Sequence, residues 1–119
     1  MSNTVSWVFQ LKVKDGEYDN AKALMDEMSA ATQADEPGAL VYEWFASEDK
    51  TTVHVYERYS DSAATMVHLG NFGSKFAERM LAITEPTGFT VFGDPSADVR
   101  GVLADFGAVH MAQVAGFAR

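Results

Sequence analysis

The chain has 119 residues, 47% hydrophobic and 12% aromatic, with no cysteine; that is enough apolar material for one packed domain, and it excludes disulfides, thiolate metal sites and a thiol nucleophile. Nine Lys and Arg against 17 Asp and Glu give a formal net charge of -8, a field that repels phosphate backbones and acidic membrane surfaces, so neither nucleic acid nor membrane is an expected partner. No apolar run reaches the length of a membrane span, and the opening MSNTVSW has neither the basic region nor the apolar stretch of a secretory signal, which makes the expected location cytoplasmic.

Residues 5–13, VSWVFQLKV, alternate Val5, Trp7, Phe9, Leu11 and Val13 against polar neighbours, the period of a half-buried strand. DGEYDN turns the chain. From Glu17 to Ala34 the apolar positions Tyr18, Ala21, Leu24, Met25 and Met28 recur at three and four residues, one apolar stripe on a helix that EPG then ends. ALVYEWFAS and TTVHVYERY flank EDK as two antiparallel strands of a hairpin. The first is apolar on both faces, with Leu40, Tyr42 and Trp44 on one and Val41 and Phe45 on the other, so neither face is expected to meet water.

Ser60 or Asp61 is placed to cap a helix that begins at SDSAATMVHL; GNFG should interrupt it before a further turn or two through Phe72, Phe76, Ala77 and Met80. TGFTVFG supplies a fourth strand. DPSADVRGVLADFG reads as a short helix with Asp94 as its cap, Pro95 in its first turn and Val99, Val102, Leu103 and Phe106 on one face. In the tail AVHMAQVAGFAR, Val109, Met111 and Phe117 share one phase of a fifth strand. The order is that of a split βαβ unit, an α+β ferredoxin-like fold with an antiparallel four-stranded sheet, both main helices on one face, and a C-terminal helix and strand. One domain is expected over 1–119, with a core over 5–93 and an extension over 94–119. The bare sheet face, rich in aromatic and aliphatic side chains, calls for a second copy, so a homodimer is the expected assembly.

EPGALVYEWF and VHVYERYSDSAATMVHL resemble the antibiotic biosynthesis monooxygenase family, in particular its quinol-monooxygenase-like members: a glycine before strand two, a Tyr-Glu-x-aromatic end to strand three and a His closing a short helix. The resemblance implies a dimeric α+β barrel. It also implies chemistry that uses no cofactor and no metal: a buried phenol or hydroquinone is deprotonated and its anion reacts with dioxygen directly. Where many members have a proline and a second His, this chain reads HLGNFGSKF, which leaves that role vacant. Haem-degrading relatives place an Asn and an axial His where Phe9 and Met80 stand here, which speaks against haem degradation.

Such chemistry needs a base, a dry pocket and a group to hold the developing anion. His68 is the candidate base, because an unperturbed imidazole titrates near neutral pH, and Glu57, in phase with Val53 and Val55, would fix its tautomer. The same two groups could equally be a structural pair that ties helix to sheet. Trp7, Phe9, Tyr42, Trp44, Phe72 and Phe76 either stack on a planar aromatic substrate or form ordinary core. His54, Tyr56 and Arg58 share the opposite strand phase, toward the expected dimer interface. The three His residues are far apart, and no HxH, HxxxH, HExxH or GxGxxG is present, so neither a metal nor a dinucleotide is indicated. Two functions follow: a cofactor-independent monooxygenase acting on a phenolic, quinol or polyketide-type aromatic, or a non-catalytic small-ligand-binding or stress-response module. A cavity of roughly 300 Å³ or more would favour the first.

Overall fold

The computed structural model describes residues 3–119. The elements run β1 (Val5–Val13), α1 (Tyr18–Asp35), β2 (Ala39–Ala46), β3 (Thr52–Tyr59), α2 (Ser62–Lys75), α3 (Ala77–Ile83), β4 (Thr84–Phe92), α4 (Ala97–Ala104) and β5 (Val109–Met111). They form an α+β fold around a five-stranded sheet of order β2-β3-β1-β4-β5, antiparallel except where β5 joins β4 in parallel. Strand β1 sits centrally because every second residue is apolar. Val5, Trp7, Phe9, Leu11 and Val13 are all buried, and Leu11, Phe9 and Trp7 stand opposite Val53, Val55 and Glu57 of β3. Those positions share one face, and the helices cover it. Among the described residues, no helix is long and apolar enough to cross a membrane.

Three local expectations are corrected. Helix α2 runs unbroken through GNFG to Lys75, and the break comes at Phe76, where φ is -129°. Gly70 and Gly73 have open space where a Cβ would stand. Each costs the helix about 1 kcal/mol, which the packing of Thr65, His68 and Phe72 offsets. Asp94 does not cap α4. Ser96 does, its Oγ accepting from Val99 N, while Asp94 accepts a hydrogen bond from Arg100 at 3.0 Å and Pro95 precedes the cap. Ser96 wins because its extended backbone directs a short hydroxyl at the first free amides. The fifth strand is only three residues long, and Phe117 lies exposed outside it; beyond Met111 the Ala and Gly content offers little to hold pairing.

Strand β4 begins three residues before TGFTVFG, carrying Pro86 into the sheet opposite Leu11. The register shifts there, between Gln10 and Leu11, and such irregularities are where a residue without an N–H is tolerated. Asp61 caps α2, accepting from Ala64 N at 2.8 Å.

Gly38 sets how close β2 comes to α2. Its carbonyl accepts from Ser60 N at 2.9 Å, and a Cβ on it would stand 2.5 Å from Ala64 Cβ and 3.2 Å from Ser60 Oγ. Only glycine allows that approach, which keeps the end of α1 beside α2. Gly38→Ala is therefore predicted to destabilise the fold by about 1–3 kcal/mol, as a forced overpacking does, read as a lower urea midpoint at unchanged slope. Adding Ala64→Gly should restore most of the loss; a Gly38→Ala protein as stable as the parent would contradict this account of the turn.

Candidate functional site

Glu57, His68 and Glu36 meet under the helix layer although they come from three separate elements. Glu57 leaves β3 on its buried face, His68 leaves the middle of α2, and Glu36 follows the last residue of α1. All three are nearly inaccessible, at 5%, 5% and 6% exposure. His68 Nδ1 lies 2.9 Å from Glu36 Oε1 and His68 Nε2 lies 3.0 Å from Glu57 Oε1, so one ring is held between two carboxylates. The Glu57 carboxylate also accepts from Trp7 Nε1 at 2.6 Å and from the Tyr59 hydroxyl at 2.5 Å. Glu36 accepts in addition from Asn71 Nδ2 at 3.3 Å. Every partner of both carboxylates is a donor, the pattern that keeps buried charge affordable.

The electrostatics follow from this geometry. Burial pulls the His68 pKa down, but Glu57 and Glu36 together outweigh it and leave the imidazole pushed up to about 9. Burial acts on Glu36 in the opposite sense, and the bond and charge of His68, with help from Asn71 and Lys75, leave its carboxyl below the usual range. His68 is thus an imidazolium at neutral pH, whereas the sequence alone implies a ring titrating near neutrality. Aromatic faces surround it: Tyr59 at 5.0 Å, Tyr42 at 5.6 Å and a stacked Phe72 at 6.3 Å between ring centroids. Their quadrupoles favour the cation.

A cavity of about 30 Å³ lies beside this trio, lined by Trp7, Phe9, Tyr42, Trp44, Glu57, His68 and Phe72 together with Leu11, Val55, Leu69, Met80, Leu81, Phe89, Leu103 and Phe106. Seven of the residues singled out from sequence thus share one wall. Phe76 is not among the lining residues; it stands at the break between α2 and α3, packed against the core. Glu36 escaped the sequence reading. Its signal is that it extends the buried stripe of α1, four residues after Thr32 and eight after Met28, and stands two residues before a glycine that lets two elements touch. His54, Tyr56 and Arg58 occupy the opposite strand phase. Among the described residues, no cluster of His, Asp and Glu could hold a metal ion: the two carboxylates approach opposite nitrogens of one ring, an arrangement that binds protons.

Chemically, two carboxylates around one imidazolium carry one net negative charge in a dry environment, and taking up one further proton would neutralise it. Such a unit can receive a proton from a ligand hydroxyl placed against it.

The sequence profile of antibiotic biosynthesis monooxygenase matches residues 4–85. No curated protein matches the chain. Among solved structures, the chain is similar to MupZ from Pseudomonas fluorescens at 23% identity and a TM-score of 0.88, over 100% of this chain and 91% of that one. It is also similar to SnoaB, a cofactor-independent oxygenase from Streptomyces nogalater, at 16% identity and a TM-score of 0.67, over 81% and 97%. A third likeness is to Rv0793 from Mycobacterium tuberculosis, at 24% identity and a TM-score of 0.61, over 78% and 96%. At these identities the likeness is one of fold. The MupZ match spans α4 and β5, so the C-terminal helix and strand belong to an architecture found elsewhere.

The trio sets a pH dependence of stability. His68 has a folded pKa above its ordinary 6.5, so its contribution is complete below pH 6.5 and is lost as pH rises through about 9. Glu36 has a folded pKa below its ordinary 4.5, so its contribution is present above pH 4.5 and is lost as pH falls through the folded value. Urea unfolding should therefore show stability from these groups that is fullest between about pH 4.5 and 6.5, with a loss of a few kcal/mol toward pH 9. His68→Gln should flatten the alkaline limb. An alkaline limb of equal depth in both proteins would contradict the assignment.

Proposed function

Because the chain belongs to the antibiotic biosynthesis monooxygenase family, we propose that it is a cofactor-independent monooxygenase acting on a phenolic, quinol or polyketide-type aromatic. One observation carries this reading: Glu57 and His68, with Glu36 behind the ring, form a buried unit, and the first two stand in the wall of a cavity otherwise lined by aromatic and aliphatic side chains. In this reading the ring hydroxyl gives its proton to the unit, with a carboxylate as acceptor and His68 as the fixed cation that spreads the charge. The ring anion then reduces dioxygen. At a ring methylene the balance closes without another reductant: CH₂ and O₂ give C=O and H₂O, the substrate supplying all the electrons. Trp7, Phe9, Trp44 and Phe72 would flank the ring, and the surrounding apolar wall would exclude water.

A second reading, a non-catalytic small-ligand-binding or stress-response module, is favoured by the cavity volume. About 30 Å³ is room for roughly one water, well short of an aromatic ring. The oxygenase reading therefore requires the side chains of Leu69, Phe72, Leu81 and Phe106 to give way when a ring enters; these four are only partly buried. Oxygen uptake by the purified protein against hydroquinones, naphthols and anthrones separates the two. We expect uptake with at least one class, lowered roughly a hundredfold in Glu57→Gln, the contribution of a positioned proton acceptor. Saturable binding with no uptake would leave the binding module, and uptake unchanged in Glu57→Gln would remove the trio from the chemistry.

We also propose that two copies pair through their sheets. The face away from the helices carries Phe45, Phe92, Val109 and Met111, all exposed in the single chain, with further apolar exposure at Val114 and Phe117 beyond β5. A patch of this kind on an otherwise acidic surface favours self-association. Light scattering should give about 26 kDa, twice the 13.0 kDa chain. Removal of residues 108–119 should weaken the dimer while leaving secondary structure in place. A monodisperse species of single-chain mass would refute the pairing.

A further inference from the structure

The chain has two tryptophans, and both indoles line the cavity. They differ in one respect. Trp7 Nε1 donates to Glu57 at 2.6 Å, whereas Trp44 Nε1 is buried with no hydrogen-bond partner among the described residues. A buried N–H without an acceptor is costly, and phenylalanine would fill the same wall without that cost. Trp44 is therefore either a standing defect or a donor that awaits an acceptor from outside the chain.

The surroundings favour the second. Tyr42, two residues earlier on the same face of β2, meets Trp44 edge-on with ring centroids 6.2 Å apart. The indole N–H is near enough to the Tyr42 hydroxyl to favour its anion slightly, yet it lies outside hydrogen-bond geometry. Burial and the charge of Glu57 outweigh that effect and keep the Tyr42 hydroxyl protonated, so this stretch of wall presents donors. Strand register places Trp44 opposite Val55 and Tyr42 opposite Glu57. Apart from the Trp7 N–H and the His68 ring of α2, the polar groups of the cavity wall thus lie along its β2–β3 side, while Phe9, Phe89, Leu103 and Phe106 offer none.

We propose that Trp44 is the positioning residue of this cavity, its indole N–H donating a hydrogen bond to the oxygen of a bound cyclic aromatic ketone or quinone. The proposal rests on reading the cavity as a ligand site and not on the oxygen chemistry. A ligand carbonyl would turn an unsatisfied donor into a satisfied one, so carbonyl-bearing rings gain over hydrocarbon rings of the same shape. The ketone would be oriented along the β2–β3 side, with its remaining edge against hydrocarbon.

Indole N–H resonances of the 15N-labelled full chain test this directly, because only two exist and Trp44→Phe identifies one by its loss; if that variant fails to fold, proximity to Tyr59, 5.2 Å from Trp7 between ring centroids, identifies the other. Titration with 1-tetralone should move the Trp44 Nε1 proton downfield to saturation, while tetralin, the same carbon skeleton without the carbonyl, should not. Trp44→Phe should bind 1-tetralone about tenfold more weakly, the weight of one hydrogen bond, with tetralin binding unchanged. An unmoved Trp44 resonance at saturation, equal shifts with both compounds, or no 1-tetralone binding up to its solubility limit would each overturn the proposal. A shift with 1-tetralone in a protein that consumes no oxygen with any substrate would sink the oxygenase reading alone. Oxygen uptake with an unmoved Trp44 would sink this assignment alone.

Discussion

The site depends on one electrostatic constraint: a carboxylate, Glu57, is placed on the buried face of a central-sheet strand. Left alone there, its charge would oppose folding by several kcal/mol. The chain answers with three donors from three different elements: the Trp7 indole from β1, the Tyr59 hydroxyl from the end of β3 itself, and His68 from α2. A charged His68 ring donates from both nitrogens, and a second carboxylate, Glu36, favours that charge from the far side of the ring. One buried anion thus fixes the relation of β1, β3, α2 and the end of α1.

This arrangement explains why the turn between α1 and β2 is so tight. Glu36 reaches His68 only if the chain passes close over α2, and Gly38 allows the contact with Ala64 that brings it there. The same turn starts β2, whose inward side chains Tyr42 and Trp44 complete the wall. Backbone economy at one glycine, ion pairing across the helix layer and the composition of the cavity are therefore coupled. Changes at any one of these positions should be felt at the others, as expected for residues in one connected network.

Much of this was legible in the sequence because a period of two has a single physical meaning. The alternation in β1 marks strand, face and core together, and the same reasoning turns Glu57 inward with Val53 and Val55. The spacing of His68 from Ala64 and Val67 places it inward; Val67 is exposed, and the buried residue one turn before His68 is Thr65. Glu36 was harder to find: it follows Met28 and Thr32 at intervals of four on the buried stripe of α1, but Thr32 and Glu36 are polar and the apolar pattern ends at Met28. The His68 pKa was missed for the same reason, since one carboxylate was seen and two act. GNFG misled because glycines on an exposed helix face cost little against a packed opposite face. The cavity volume was not legible at all, because it is set by how Leu69, Phe72 and Phe106 seat their side chains.

Family membership and fold supply a setting, and in the proposed activity the trio would supply the proton acceptor. An imidazolium held between two carboxylates is a proton-handling unit, whereas a neutral imidazole beside a neutral acid would be an ordinary satisfied core pair. The NMR titration of the His68 ring nitrogens in the folded protein distinguishes these. Both nitrogens protonated at pH 7, with titration near pH 9 that moves to lower pH in Glu36→Gln, is the predicted result. A ring that is neutral at pH 7 and titrates below its ordinary 6.5 would contradict the account.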